Sequence, residues 1–476
     1  MRILRRSTIF VILFLLVTWG TAVAASAAPS LTGIRFSHDD HKVRIVLDLT
    51  APVEPKVMLL KQPLRLVIDL PTTTNNFLFP QVTLNDKFVQ GVRLGAFKPD
   101  ILRLVVDLNL YPDYKIFSLK SPDRLVIDII KDYEHKKVTQ VATGITYTML
   151  RRSNAQGPVT AHILDIAPDA AVELRPLLSN NAISGLAPLT AMAREAKAIA
   201  AVNASYFATN GEILGLLKLD GEIVSTPALP RTALGLMPDG QILMDVVDYT
   251  GLVKLPDGRA IAISGVNRAR GADELVLYNA HYGQSTATNG FGIDYVIAND
   301  KITAINPKGN SLLAPGTIVL SAHGTAAQAL AGLKVGDSVT ISQTLGKIWD
   351  QTRHAIGAGP RLVKDGSVYI TTKLEEFGSD VAGGRAPRTA VGLTKEGHLL
   401  LVVVDGRQAT SIGHSLLELA LFMQELGAVD AMNLDGGGSS TMVIKNKIVN
   451  QPSDGKERRI GAALAVIPAS FAKSAK

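Results

Sequence analysis

The sequence predicts an all-β sandwich at the front of the chain, followed by a larger α+β domain. Three observations predict it. Short β-rich runs recur at a fixed offset within the first 130 residues, strand-like stretches with two helical patterns fill the region after residue 143, and turn formers are abundant. The 476 residues include 41 Gly and 23 Pro, with 47% hydrophobic and 19% charged. At about 100–200 residues per domain this length holds two or three domains. The composition is that of a folded, turn-rich protein and excludes a disordered chain.

Residues 1–28 read as a leader. Arg2, Arg5 and Arg6 precede the apolar run Ile9 to Val17, and small residues follow through Ala22-Val23-Ala24 and Ala25-Ser26-Ala27. That layout is a secretory signal with A-x-A cleavage sites, so an exported protein of the periplasm, cell envelope or extracellular space is expected. An uncleaved anchor is the alternative, because the apolar stretch nearly reaches the ~20 residues of a span. Without the leader, 46 of the 49 Lys and Arg remain against 42 Asp and Glu, with no basic run. Nucleic acid is therefore excluded as an expected partner. The complete lack of Cys removes disulfides, thiolate zinc sites and cysteine nucleophiles together, so core burial must stabilise the fold.

The front region, residues 29–130, repeats itself. Gly33-Ile34-Arg35, Arg44-Ile-Val-Leu-Asp48 and Arg65-Leu-Val-Ile-Asp69 recur as Gly91-Val92-Arg93, Arg103-Leu-Val-Val-Asp107 and Arg124-Leu-Val-Ile-Asp128. Each half is a set of short strands broken by prolines, which predicts the sandwich. Here the sequence resembles the AMIN domain. That resemblance implies a localisation module that binds peptidoglycan or an envelope complex rather than a catalyst. For Arg44, Asp48, Arg103 and Asp107 the residues themselves predict charge pairs across the sandwich.

Residues 131–143, with Asp132, Glu134, Lys136 and Lys137, read as a polar linker, and residues 469–476 as a basic tail. Between them, 144–468 should form the larger domain. Its helices are expected at Leu186–Lys197 and from Ser415 to a stop at Gly427, where Ser415-Leu-Leu-Glu418 is a capping box. Arg231-Thr-Ala-Leu-Gly-Leu is echoed by Arg388-Thr-Ala-Val-Gly-Leu. The echo fits two related half-domains facing a cleft, and equally two ordinary hairpins with Asp-Gly and Glu-Gly turns.

The most informative stretch is Asn433-Leu-Asp435-Gly436-Gly437-Gly438-Ser439-Ser440-Thr441. An apolar strand delivers Asn433 and Asp435, three glycines let backbone approach a ligand, and their N–H groups with the Ser439 and Ser440 hydroxyls suit an anion. A plain hairpin is the alternative, but it has no need of the flanking carboxylate and Asn. The buried-looking run Leu399–Val404 ends in Asp405-Gly-Arg407, and Arg388 and Arg361 offer forked donors for phosphate. Asn203-Ala-Ser-Tyr206 could line a sugar site. The scattered histidines argue against zinc, whereas Asp435 or Asp405 is compatible with a hard divalent cation such as calcium.

Together, Asn-Ala-Ser-Tyr-Phe from 203, Gly-Ala-Gly-Pro-Arg at 357–361, Pro-Arg-Thr-Ala at 387–390, Asp-Gly-Arg at 405–407 and the 433–441 motif resemble the phosphodiester glycosidase family. The resemblance implies a glycoside hydrolase acting on a sugar-1-phosphodiester, such as N-acetylglucosamine-1-phosphodiester, in envelope or extracellular glycans. On that reading Asp435 and Asp405 are the catalytic carboxylates, as base or nucleophile. Arg388, Arg407, Gly436–Gly438, Ser439 and Ser440 hold phosphate, and Asn433, Asn203 and Tyr206 hold the sugar. The other class of reading is a non-catalytic protein that binds peptidoglycan or glycan.

Overall fold

In Lys42–Leu49 and Ile101–Leu108 every second residue is apolar and turned inward, and burial alternates along both strands, with Val46, Ile101 and Val105 the apolar residues at outward positions. The computed structural model describes residues 28–469 apart from 77, 78, 80 and 228, so the leader and most of the basic tail lie outside the described residues.

The front region is two five-stranded sheets closed over one core that includes Ile45, Leu47, Leu66, Ile68, Leu104 and Ile127. The repeat is interleaved: Lys42–Leu49 pairs with Arg124–Ile130, while Leu64–Pro71 pairs with Ile101–Leu108. Each sheet thus takes strands from both halves. The charge pairs differ from the expected ones. They run between neighbouring strands of one sheet, as Arg44 with Asp128 (2.6 and 2.7 Å) and its repeat equivalent Arg103 with Asp69 (2.6 and 2.8 Å). Arg35–Asp48 and Arg93–Asp107 repeat in the same way. Opposed residues on adjacent strands are within side-chain reach, whereas the sandwich interior between the sheets is apolar.

Residues 133–142, expected as a polar linker, form the edge strand Tyr133–Ala142 of an eight-stranded sheet, paired antiparallel with Ile145–Asn154. An edge strand needs one paired side and few buried side chains, which is how a run containing Glu134, Lys136 and Lys137 can be a strand.

The eight-stranded sheet continues through Gly157–Ile166, Leu399–Val404, Arg388–Thr394, Ala428–Asn433 and Arg361–Lys364. A second sheet holds Ala200–Asn203, Met442–Ile444 and Ala462–Pro468, and a third holds Leu217–Leu219, His354–Gly357 and Arg231–Leu236. One core joins all three, including Val202, Leu234, Ile356, Val391, Leu401, Met432 and Leu464. A separate core around Leu277, Tyr295 and Leu320 supports a lobe between residues 250 and 345.

Helices are few and short. The first expected helix shrinks to Leu189–Glu195. The second is Leu416–Glu425, with the capping box at Ser415 and Glu418 formed and Gly427 following at φ 90°. Its inner residues Leu416, Leu419, Ala420, Phe422 and Met423 are buried against the eight-stranded sheet. The echoed segments are both hairpins, in two different sheets on the shared core.

Candidate active site

Strand ends converge on one place. Arg388 lies opposite Val404, so it and Asp405 share one edge of the eight-stranded sheet, and Ala390 lies opposite Asn433 on the next strand. Asn203 ends its strand in the neighbouring sheet, one residue beyond the pairing of Val202 with Met442. Beyond Asn433 the chain is pinned by main-chain bonds: Leu434 N–H to Thr389 (2.8 Å), Asp435 N–H to Ala204 (2.7 Å) and Gly437 N–H to Pro387 (2.9 Å). The loop is therefore built by both sheets.

Asp435 is half-buried at this junction. Burial pushes its carboxyl up to about 6, against the opposing pull of the Ser439 hydroxyl, the Gly436 N–H and the charge of Arg458. A carboxylate so placed exchanges a proton near neutral pH.

Three arginines stand near the glycines, Arg407 and Arg458 with their guanidinium groups and Arg388 with its Cα and Cδ beside Gly436. Arg388 is buried and donates Nε to the His414 carbonyl (3.0 Å), Nη1 to Val381 (3.0 Å) and Nη2 to Gly384 (3.1 Å). Burial lowers its pKa, and it has no carboxylate partner among the described residues. Arg407 is exposed, in the left-handed region at φ 60°, with its two Nη atoms 3.5 Å from where a Cβ on Gly437 would sit. Its guanidinium makes no hydrogen bond or ion pair among the described residues, and such a backbone costs about 1–3 kcal/mol, a strain typical of functional sites. Arg458 lies against Gly438, where any Cβ would collide with its guanidinium.

The expected anion cradle is only partly open. Gly437 N–H is bound to Pro387, Ser439 N–H to Gly436 and Ser440 N–H to Gly437. The Ser440 and Thr441 hydroxyls and Asn433 Oδ1 are buried without a hydrogen-bond partner among the described residues, which is costly unless something binds them.

Asp405 sits differently from Asp435. Its oxygens meet His162 Nε2 (3.2 Å), Asn450 Nδ2 (3.1 Å) and the Gln451 N–H (3.0 and 3.2 Å). His162 Nδ1 meets the Tyr147 hydroxyl at 2.8 Å, and Asn450 Nδ2 also reaches the Ser440 carbonyl at 3.1 Å. Asp405 thus ties the first strands of the domain to the glycine loop. Among the described residues no three His, Asp or Glu gather as metal ligands.

Asn203 is engaged internally. Its Nδ2 donates to the Asp435 carbonyl (2.5 Å), and its Oδ1 accepts from the Thr389 hydroxyl (2.8 Å) and the Thr441 N–H (3.1 Å). The Tyr206 hydroxyl donates to the Gly359 carbonyl (2.9 Å) and accepts from Asn433 Nδ2 (2.9 Å). Burial and the Asp435 charge hold that phenol far above its usual range. Arg361 is elsewhere, bound to Asp430 and to main-chain carbonyls.

Sequence reasoning missed His162, Asn450, Arg458 and Arg231, whose guanidinium lies 4.1 Å from the ring of Phe377 beside Tyr206. Only the Arg231–Arg388 echo signalled any of them. A cleft of about 520 Å³, lined by Arg152, Arg385, His414 and Glu418 among others, includes none of residues 433–441.

Residues 282–467 match the phosphodiester glycosidase family model, and residues 33–129 match the AMIN domain model. Mouse N-acetylglucosamine-1-phosphodiester alpha-N-acetylglucosaminidase is 37% identical over 102 residues, 20% of each chain. The N-acetylmuramoyl-L-alanine amidase AmiC of Neisseria meningitidis is 31% identical over 126 residues, 25% of this chain and 30% of that one. The chain thus spans about a fifth of the length of the glycosidase relatives it matches. A hypothetical protein from Synechocystis shares the fold, with a TM-score of 0.66 at 23% identity over 92% of this chain and 80% of that one.

Proposed function

We propose that this chain is an exported glycoside hydrolase that cleaves sugar-1-phosphodiesters in envelope or extracellular glycans, brought there by its AMIN region. The arrangement that carries the reading is one carboxylate, Asp435, pushed up to about 6 by burial, in a loop with Arg407 and Arg458 against its glycines and Arg388 beside Gly436. The similarity to the phosphodiester glycosidase family supports the substrate class, and that to AmiC supports an association with peptidoglycan.

The chemistry asks little of an acid. As the bond from C1 to the phosphate oxygen breaks, its electron pair leaves on a phosphate that already departs well, and positive charge grows on the sugar. Water adds to C1 and gives its proton to Asp435, leaving a free sugar and a phosphomonoester. Arg388 and Arg407 meet the charge growing on the phosphate. Asn433, whose Oδ1 lacks a partner, faces the sugar hydroxyls, while Asn203 and Asp405 hold the loop in place.

One observation favours a second reading, a protein that binds glycan phosphate without cleaving it: both oxygens of Asp405 are engaged by His162, Asn450 and Gln451, which leaves Asp435 as the one candidate carboxylate for the chemistry. Incubation with a synthetic N-acetylglucosamine-1-phosphodiester separates the two. Release of free sugar and phosphomonoester supports the hydrolase, and intact substrate at high enzyme concentration rejects it.

A further inference from the structure

Arg458 belongs to a segment that is fastened at both ends. On one side, Asn450 and the Gln451 N–H are bound to Asp405, and Asn450 also holds the Ser440 carbonyl. On the other, the Glu457 carboxylate accepts from the Thr190 N–H (2.7 Å) and hydroxyl (2.8 Å), and Arg459 reaches the Leu186 carbonyl (2.5 Å). Between these anchors Asp454 and Arg458 form an ion pair, Nε and Nη2 each 2.8 Å from Oδ2.

This pair is packed onto Gly438, where a Cβ would strike both the guanidinium and the Asp454 carboxylate. Glycine at 438 is what lets a third cation approach the loop. The Ser440 and Thr441 hydroxyls in that loop, and the Ser453 hydroxyl beside Asp454, are buried without a partner among the described residues.

We propose that Arg458, steadied by Asp454, is a phosphate-binding residue of this site and biases it toward a phosphate dianion. The proposal rests on reading the loop as the phosphodiester glycosidase centre. Arg388 beside Gly436, Arg407 over Gly437 and Arg458 over Gly438 stand around the loop with Asp435 and Asp454, so positive charge exceeds negative there even with both acids ionised. A phosphodiester carries one negative charge, whereas a phosphomonoester carries about 1.5 to 2 near neutral pH. The site therefore holds the product more tightly than the substrate, and inorganic phosphate inhibits by the same contacts.

The probe is inorganic phosphate, titrated calorimetrically into the full chain and used as an inhibitor of phosphodiester turnover. Arg458→Gln should weaken phosphate binding on the order of tenfold, with an unchanged melting temperature because the side chain is exposed. Arg458→Lys, which keeps the charge and loses the fork, should recover part of that loss. Wild-type protein that binds no phosphate at millimolar concentration overturns the assignment. So does a folded Arg458→Gln protein whose phosphate affinity stays within twofold. Arg458-dependent phosphate binding by a protein that leaves sugar phosphodiesters intact would reject the glycosidase reading and keep this one.

Discussion

The amide of Asn203 donates to the main-chain carbonyl of Asp435 at 2.5 Å, joining residues 232 apart in the chain. The same side chain accepts from Thr389 and from the Thr441 N–H, so it closes the glycine loop from both ends. Asn203→Ala would leave a buried carbonyl, hydroxyl and N–H unpaired at about 1–3 kcal/mol for each group. It should lower the melting temperature and turnover together, and Asn203→Asp should not rescue, because a carboxylate cannot donate to the carbonyl.

Asp435→Asn separates chemistry from stability. Turnover should fall on the order of 10²-fold or more if the carboxylate takes the proton. Its raised folded-state pKa means that a stabilising contribution, present below about pH 4, is lost as pH rises through about 6. The asparagine protein should therefore be more stable than wild type at pH 8 by ~1–3 kcal/mol, and this advantage should vanish toward pH 4. Chemical denaturation at the two pH values, with kinetics, checks both halves. Near-normal turnover in the folded variant removes Asp435 from the chemistry.

The same ionisation sets the acid limb of activity. A base must be deprotonated, so kcat/KM for a sugar-1-phosphodiester should rise tenfold per pH unit below about 6 and level off above it. A rate that climbs as pH drops below 6 would instead mark Asp435 as an acid.

Stereochemistry tests whether Asp435 acts through water. Direct attack by water gives the inverted anomer of the free sugar, visible by proton NMR before mutarotation. A retained anomer would show a covalent intermediate and make Asp435 the nucleophile.

Asp405→Asn should act through structure. Its amide cannot accept from His162, Asn450 and Gln451 together, so a stability loss of ~2–4 kcal/mol is expected. At temperatures where the variant is folded, the pH profile should keep the wild-type acid limb. Loss of that limb would return Asp405 to the reacting groups.

Separating the two regions requires a cut before the edge strand. A chain beginning at Lys131 keeps Tyr133–Ala142 whole, whereas one beginning near Thr139 removes most of that strand. The longer chain should hydrolyse soluble substrate and fail to sediment with peptidoglycan sacculi. Sedimentation equal to that of the full chain would place glycan binding outside the AMIN region.

The sequence by itself determined the repeated β front, the capped helix at Ser415 and the loop from Asn433 to Thr441, because these rest on local rules: recurring short apolar strands, a capping box, glycines where backbone needs room. It also brought Asp435, Arg388 and Arg407 forward as candidates. Tertiary structure decided the surroundings of each. Asp405 and Asp435 look alike as carboxylates after apolar strands, yet one meets three nitrogen donors from distant segments and the other is desolvated beside a loop. Tyr133–Ala142 became a strand because Ile145–Asn154 offered it an edge, and Arg458 reached Gly438 because anchors at Asp405 and Thr190 carried its segment there. Burial and pairing with residues hundreds of positions away set the charge state and the partners of a side chain, and no local pattern encodes them.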